Sequence, residues 1–210
     1  MTKLLVVFDV DSTLIEDEVI ELLADVAGKR AEVAAITDRA MAGELDFAAS
    51  LIERVKALAG LPESVFQEVG KRIRITPGAK DLIDAVHNRG GRVGAVSGGF
   101  SQVLNPLAEF LNLDFARAND LEVIDGKLTG RVLGKIIDRT AKRDALIEWA
   151  QRADFKIEQT VAIGDGANDL EMMEAAALSV AFNAKPIVKE KASLVLESGN
   201  LADLISILGL

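Results

Sequence analysis

The sequence contains no cysteine and a single histidine, His87, and these two gaps remove several chemistries at the outset. Without cysteine there is no disulfide framework, no thiolate metal site and no thiol nucleophile. Basic residues are also outnumbered: 24 Lys and Arg stand against 33 Asp and Glu, for a formal net charge of −9. Nucleic-acid binding draws its affinity from a concentrated basic face, so a nucleic-acid partner is not expected. Long apolar runs are missing as well. After Met1-Thr2-Lys3 only the five residues Leu4 to Phe8 are apolar before Asp9, too few for a signal sequence or a membrane span. A soluble cytoplasmic protein with no membrane partner is expected. No internal repeat and no low-complexity segment is present.

Half of the 210 residues are hydrophobic, enough to bury a sizeable core as one large domain or as a core carrying an insertion. Short apolar runs recur at Leu4 to Phe8, Val93 to Val96, Val161 to Ile163 and Ser179 to Phe182, separated by segments of helical periodicity. Alternation of this kind predicts an α/β protein with a parallel sheet. Between Glu16 and about Arg74 no strand-like run occurs, and Gly28, Gly43 and Gly60-Leu61-Pro62 break the stretch into helices. The predicted organisation is a catalytic core over residues 1–15 and 75–210 with a helical cap over 16–74. Asp125-Gly126 suits the positive φ angles of a tight turn, so Leu121 to Ile124 and Lys127 to Val132 are predicted to form a β-hairpin on the core.

Ligands of parallel sheets collect beyond the carboxyl ends of the strands, and the polar clusters fall there. Asp9-Val10-Asp11-Ser12-Thr13 follows the first run, Ser97-Gly98-Gly99 the second and Gly164-Asp165-Gly166-Ala167-Asn168-Asp169 the third. A strand-end carboxylate is a competent nucleophile toward phosphorus, and a second one two residues on lies within reach of a leaving oxygen. Mg²⁺ prefers hard oxygen ligands, which Asp9 and Asp165 supply from different strands. Three rival readings fail on the residues themselves. An EF-hand starting at Asp9 would need Gly and Glu where Leu14 and Ile20 stand. The third glycine of a dinucleotide fingerprint is replaced by Asp169. A serine hydrolase triad needs a histidine downstream of Ser97, and His87 lies upstream.

These clusters, together with a following lysine, resemble in order and separation the four motifs of the haloacid dehalogenase superfamily. The resemblance spans essentially the whole chain. It implies a Rossmann-like parallel sheet core with an inserted helical cap, and a Mg²⁺-dependent phosphomonoesterase acting through an aspartyl-phosphate. By that resemblance Asp9 is the nucleophile and Asp11 the general acid and base. Mg²⁺ is implied on the Asp9 carboxylate, the Asp11 backbone carbonyl and Asp165, with Asn168 and Asp169 ordering the site around phosphate and metal. Ser97, Gly98 and Lys142 are implied to hold the phosphoryl group. In the cap, Glu18 matches a residue meeting a substrate ammonium, Phe47 and Arg54 a pair shielding and binding its carboxylate, and Met41 a residue closing the pocket. The implied substrate is O-phosphoserine, handled by a monomer or homodimer. No N-terminal regulatory domain of the kind some members carry is expected.

Without the resemblance several of these residues read differently. Glu18 becomes an acidic residue favoured by a helix dipole, Lys142 a solvated lysine, Phe47 and Met41 core filling, and His87 an exposed helix end. Arg54 shares a helical face with Phe47 and Leu51 and so calls for a partner. Two other functions fit the same residues: transfer of the phosphoryl group to another alcohol such as homoserine, or hydrolysis of another small phosphomonoester. A non-catalytic phospho-ligand or metal-binding module is a third possibility, against which the joint presence of Asp9, Asp11, Ser97, Lys142 and Asp165 argues.

Overall fold

The computed structural model describes residues 3–41 and 44–210, and the side chain of Met41 lies outside the description, as does Gly43 with the helix break expected there. Seven strands make one sheet: β1 (Leu5–Phe8), β2 (Arg92–Phe100), β3 (Phe115–Ile124), β4 (Lys127–Leu133), β5 (Thr160–Gly164), β6 (Leu178–Phe182) and β7 (Leu194–Leu196). Their order is β4-β3-β2-β1-β5-β6-β7, parallel throughout except for the antiparallel pair β3 and β4. The chain therefore builds outward from β1 to one edge and then, from β5, to the other. β1 is the switch point, and the loops after β1, β2 and β5 share one end of the sheet.

Between β1 and β2 lie α1 (Val19–Val26), α2 (Arg30–Met41), α3 (Phe47–Lys56), α4 (Val65–Gly70) and then α5 (Ala79–Asn88). The remaining helices are α6 (Ser101–Leu111), α7 (Arg139–Arg152), α8 (Leu170–Ala175), α9 (Pro186–Lys189) and α10 (Asp203–Leu208). All four residues of β1 are fully buried, because side chains alternate across a strand and both faces of this sheet are covered. Val6 and Phe8 join the layer containing Leu82, Val86, Leu104 and Leu204 of α5, α6 and α10. Leu5 and Val7 join Leu146 and Trp149 of α7, Met172 of α8 and Val188 of α9. Each such side chain contributes roughly 1.5–3 kcal/mol of burial, which fixes β1, and the residues immediately after it, at the centre of the molecule.

Helices α1 to α4 enter and leave the sheet region through two neighbouring segments. Ile15 and Ile75 form an antiparallel bridge, Glu16 N–H donates to Arg74 O at 2.9 Å and Thr76 N–H to Leu14 O at 3.1 Å. The Arg74 guanidinium closes this ribbon on Asp17 Oδ1, at 3.2 Å from Nε and 2.7 Å from Nη2. The expected hairpin on the core is present as β3 and β4, and it has two further connections. β3 starts six residues earlier than the apolar pattern suggests and extends the sheet parallel to β2, and Leu128 exchanges hydrogen bonds with two residues of the insertion: Gly60 N–H donates to Leu128 O and Leu128 N–H to Leu61 O, both at 2.8 Å. The hairpin thus braces the helices as well as the sheet.

Candidate active site

Asp9 continues β1 by one residue, its N–H donating to Ile163 O of β5 at 2.8 Å. Its Oδ1 accepts from Val10 N–H at 2.7 Å, and the chain then folds through a tight turn that returns Ile15 N–H to Val10 O at 3.0 Å. Ser12 takes a left-handed φ of 57° in that turn. Asp11 faces the start of α1 and the end of β2 together: Oδ1 accepts from Val19 N–H at 2.7 Å and Oδ2 from the Ser97 hydroxyl at 2.9 Å. The carboxylate satisfies one of the free N–H groups of α1 and sits at its positive end. Glu18, the residue before α1, accepts from the Ser12 hydroxyl at 2.7 Å.

Lys142 is not the solvated lysine its surroundings in sequence suggest. Asp138 caps α7 through Ala141 N–H at 2.8 Å, and this places Lys142 in the first turn with its side chain pointing into the sheet end, 1% exposed. Nζ lies 2.6 Å from Asp9 Oδ1 and 2.7 Å from Asp169 Oδ1. Asp169 is fully buried, and its Oδ2 accepts from Gly166 N–H at 3.0 Å. Ser97 is buried too, and its hydroxyl oxygen accepts from Gly99 N–H at 2.7 Å. From α3, the Phe47 ring lies directly on Gly98: a Cβ there would come within 2.8 Å of Phe47 Cζ. Glycine at this position lets a side chain of the helical insertion reach the β2 loop.

The carboxylates share one electrostatic problem. Burial and the neighbouring Asp169 hold Asp9 well above the ordinary carboxylate range, and Lys142 offsets part of this. Burial likewise raises Asp11, against the Val19 N–H and Ser97. Burial and Asp169 push Asp165 up to about 6. Burial, then Asp11, push Glu18 up to about 7, although Glu18 as a residue is exposed to the cleft, so water moderates that rise. Lys142 loses by burial but gains more from Asp169 and Asp9, and is held above its usual value. Lys142→Ala would leave two buried carboxylates facing each other, and loss of one partner from such a cluster typically costs about 3–5 kcal/mol. We expect a large fall in Tm for this variant, measured by calorimetry without added metal; an unchanged Tm would show that the buried lysine does not hold the cluster.

Asp9, Asp165 and Asp169 present carboxylate oxygens that all lie within 4.8 Å of one another. Such a set of hard oxygens, short of positive charge, fits a divalent cation. Asp169 adds its side chain to the expected carboxylates of Asp9 and Asp165, and the Asp11 side chain is turned to Val19 and Ser97, the expectation for Asp11 as a ligand having named its backbone carbonyl alone. The structure brings Asp9, Asp11, Ser97, Lys142, Asp165 and Asp169 into one network, with Phe47 stacked at Gly98. Asn168 stands beside them, its Oδ1 within 2.3 Å of where a Gly166 Cβ would be. Arg54 is half-buried; its Nε donates to Ser50 O at 3.3 Å, and Glu18 and Asp11 act on its charge. Met41, expected at the pocket, lies outside the description by its side chain. Two neighbours escaped the motif reading. Asp138 carries a legible signal, an aspartate three residues before the capped N–H; Asn119, buried beside the β2 loop, carries none. A separate cavity of about 520 Å³ between α4 and α6 is lined by Phe66, Ile73, Val103, Leu107 and Phe110 with no carboxylate, and is not part of this network.

The α/β sheet carries an acidic cluster at its switch point with a buried lysine and a serine-glycine loop beside it, and the chain belongs to the haloacid dehalogenase-like hydrolases, whose family model matches residues 6–174. Several of its relatives in that family are phosphoserine phosphatases. It is 51% identical over 208 residues to phosphoserine phosphatase SerB2 of Mycobacterium tuberculosis, covering 99% of this chain and 51% of that protein. It is 50% identical to the phosphoserine phosphatase of Streptococcus thermophilus, covering 98% of this chain and 96% of the other. The chain thus spans about half the length of the first relative and nearly all of the second. A solved phospho-aspartyl intermediate analogue of phosphoserine phosphatase superposes with a TM-score of 0.91 at 44% identity, covering 99% of both chains.

Proposed function

We propose that this protein hydrolyses O-phosphoserine to serine and phosphate in the cytoplasm, the step that ends serine biosynthesis, by way of an aspartyl-phosphate on Asp9. The observation that carries the reading is the held state of Asp9: buried at the switch point, its Oδ1 fixed by Val10 N–H and Lys142 Nζ, which leaves Oδ2 to attack phosphorus. Asp11, two residues on and raised by burial, protonates the seryl oxygen as it leaves. The same carboxylate then takes the proton of the water that cleaves the aspartyl-phosphate. Lys142, the Ser97 hydroxyl and backbone N–H groups at Gly98 meet the phosphoryl oxygens, where transition-state charge accumulates. In this scheme the segment 16–74 works as a cap that closes over the site. Glu18 faces the substrate ammonium, Arg54 its carboxylate, and Phe47 and Met41 exclude water, with Asn168 and Asp169 ordering phosphate and metal.

The cation proposed is Mg²⁺, which the Asp9 and Asp165 carboxylates and the Asp11 carbonyl would hold. When bound it offsets the repulsion between an anionic nucleophile and an anionic phosphate. The binding carries a pH signature. The folded-state pKa of Asp165 is raised to about 6 from 3.8, so the folded protein retains a proton that the unfolded chain has lost, and this contribution to stability disappears as pH rises through about 6. Above that window Asp165 is ionised and free to take a cation; below it, a proton competes. Added Mg²⁺ should therefore raise Tm more at pH 8 than at pH 5, and an equal shift at both would remove the metal from this cluster. The function itself is tested by phosphate release, with and without Mg²⁺, on a panel of small esters containing both enantiomers of phosphoserine, with an acceptor alcohol added in parallel. Turnover confined to other esters, or a phosphorylated acceptor in place of free phosphate, would overturn the substrate or the reaction respectively.

A further inference from the structure

The β2 loop that carries Ser97 is a bulge, and the residue that compensates for it is Asn119. From Val96 to Phe100 β2 takes four residue steps while β3 takes two, from Arg117 to Asn119. Ser97, Gly98 and Gly99 are pushed out of the ladder, and bulges of this kind leave backbone groups without their strand partners. In a buried place those groups must be met by something else. Asn119, 1% exposed, meets them: its Nδ2 donates to Gly98 O at 2.8 Å and to Gly99 O at 3.3 Å. Its Oδ1 accepts from Ile137 N–H at 2.8 Å, one residue before the Asp138 that caps α7 and sets Lys142. The side chain is held from both ends, which fixes its amide orientation.

A peptide group is planar, so a carbonyl drawn one way sends its N–H the other. Asn119 draws Gly98 O toward β3, and the N–H of the same peptide, on Gly99, donates to Ser97 Oγ at 2.7 Å. With Gly99 N–H on its oxygen, the Ser97 hydroxyl keeps its proton free to donate, and in this structure it donates to Asp11 Oδ2 at 2.9 Å. The path from Asn119 through the Gly98–Gly99 peptide to Ser97 and Asp11 is continuous, and it starts from a side chain that is itself buried. We infer that Asn119 is a positioning residue for the reaction: it sets the donor direction of Ser97, and through it the orientation of Asp11, and it ties this loop to the start of the helix bearing Lys142. The inference rests on Asp11 being the general acid and base, as proposed above.

Asn119→Asp removes the donor but keeps an acceptor for Ile137 N–H; Asn119→Ala removes both. Both variants are to be compared with the unaltered protein in Mg²⁺ for kcat and KM on O-phosphoserine and on para-nitrophenyl phosphate, with folding checked by circular dichroism. General acid–base catalysis contributes about 10²–10⁴-fold, and misorientation should forfeit part of it: a fall in kcat of about 10- to 100-fold on both esters, with KM for phosphoserine changed less than about threefold. A purely structural role would lower Tm and leave kcat of the folded fraction intact. A second readout does not depend on turnover. In N119D, hydrogen exchange at the Gly99 amide, followed by NMR, should accelerate at least about tenfold while the β1 amides stay protected, because the peptide plane is released. Should N119A fail to fold, N119D decides. Unchanged kcat in folded N119D, or an unchanged Gly99 exchange rate, would overturn the inference. Absence of turnover on every ester by the unaltered protein would instead overturn the phosphatase reading, leaving the exchange experiment to judge Asn119.

Discussion

Asp9→Asn is expected to lose turnover by roughly 10⁴-fold or more, the scale on which removal of a covalent nucleophile acts, while the protein stays folded. Asparagine keeps the shape of the side chain and an amide oxygen in the place of Oδ1, so the hydrogen bonds from Val10 N–H and Lys142 Nζ survive. What disappears is the charge that, in the proposed mechanism, attacks phosphorus. The stability side of the prediction has a definite sign. Burial and Asp169 hold the folded-state pKa of Asp9 above its unfolded value, so at neutral pH the ionised carboxylate is a net cost to the folded state. Replacing it by a neutral amide leaves Lys142 paired with Asp169 at 2.7 Å and removes one of three crowded carboxylates. Tm without metal should be equal to or higher than that of the unaltered protein, and the Tm rise on adding Mg²⁺ should shrink. Near-normal turnover in the folded variant would remove the aspartyl-phosphate mechanism; a Tm lower by many degrees would show that the charge on Asp9 is needed by the fold itself.

The residues that could be placed from the sequence are those whose chemistry is poorly explained by structure alone. Asp9, Asp11 and Asp165 stand directly after buried apolar strands, where a carboxylate costs free energy unless something uses it. The buried strands of the sheet were legible for a related reason: β1, β5 and β6 are covered on both faces and so read as unbroken apolar runs. β3 was legible only at its hairpin end, because its first half carries Arg117 and Asn119 on a strand of mixed burial, and β7 is three residues long. The site followed the same divide. Lys142 looked like any surface lysine, since its burial depends on two acidic residues distant in sequence. His87, expected to be exposed, is largely covered and lies 2.9 Å from Asp114, a contact between elements that no local pattern announces. Asn119 is the extreme case. Its importance comes from a register mismatch between two strands, and register is a property of the pairing rather than of either strand.

Arg54 carries the other large effect, on specificity rather than on the chemical step. It lies on α3 on the same helical face as Phe47 and Leu51, half-buried, with its Nε spent on Ser50 O and no ion pair to any described carboxylate. Burial lowers its pKa while Glu18 and then Asp11 act to raise it. A guanidinium in this position is an incomplete pair: it has given up part of its water without a direct ion pair to a described carboxylate. A substrate carboxylate would complete it bidentately under the Phe47 ring, supplying orientation as well as affinity. Truncating one partner of such a pair costs about 2–5 kcal/mol, which at about 1.4 kcal/mol per decade is roughly 30- to several-thousand-fold in kcat/KM. Arg54→Ala should show that loss on O-phosphoserine and only a few-fold change on para-nitrophenyl phosphate, which has no carboxylate to bind. Arg54→Lys, retaining charge without the fork, should fall between. The Tm of Arg54→Ala should not drop, because no partner is orphaned in the unliganded protein. Equal losses on both esters would show that Arg54 serves the phosphoryl end or the fold, and would return the identity of the ester to an open choice among small phosphomonoesters.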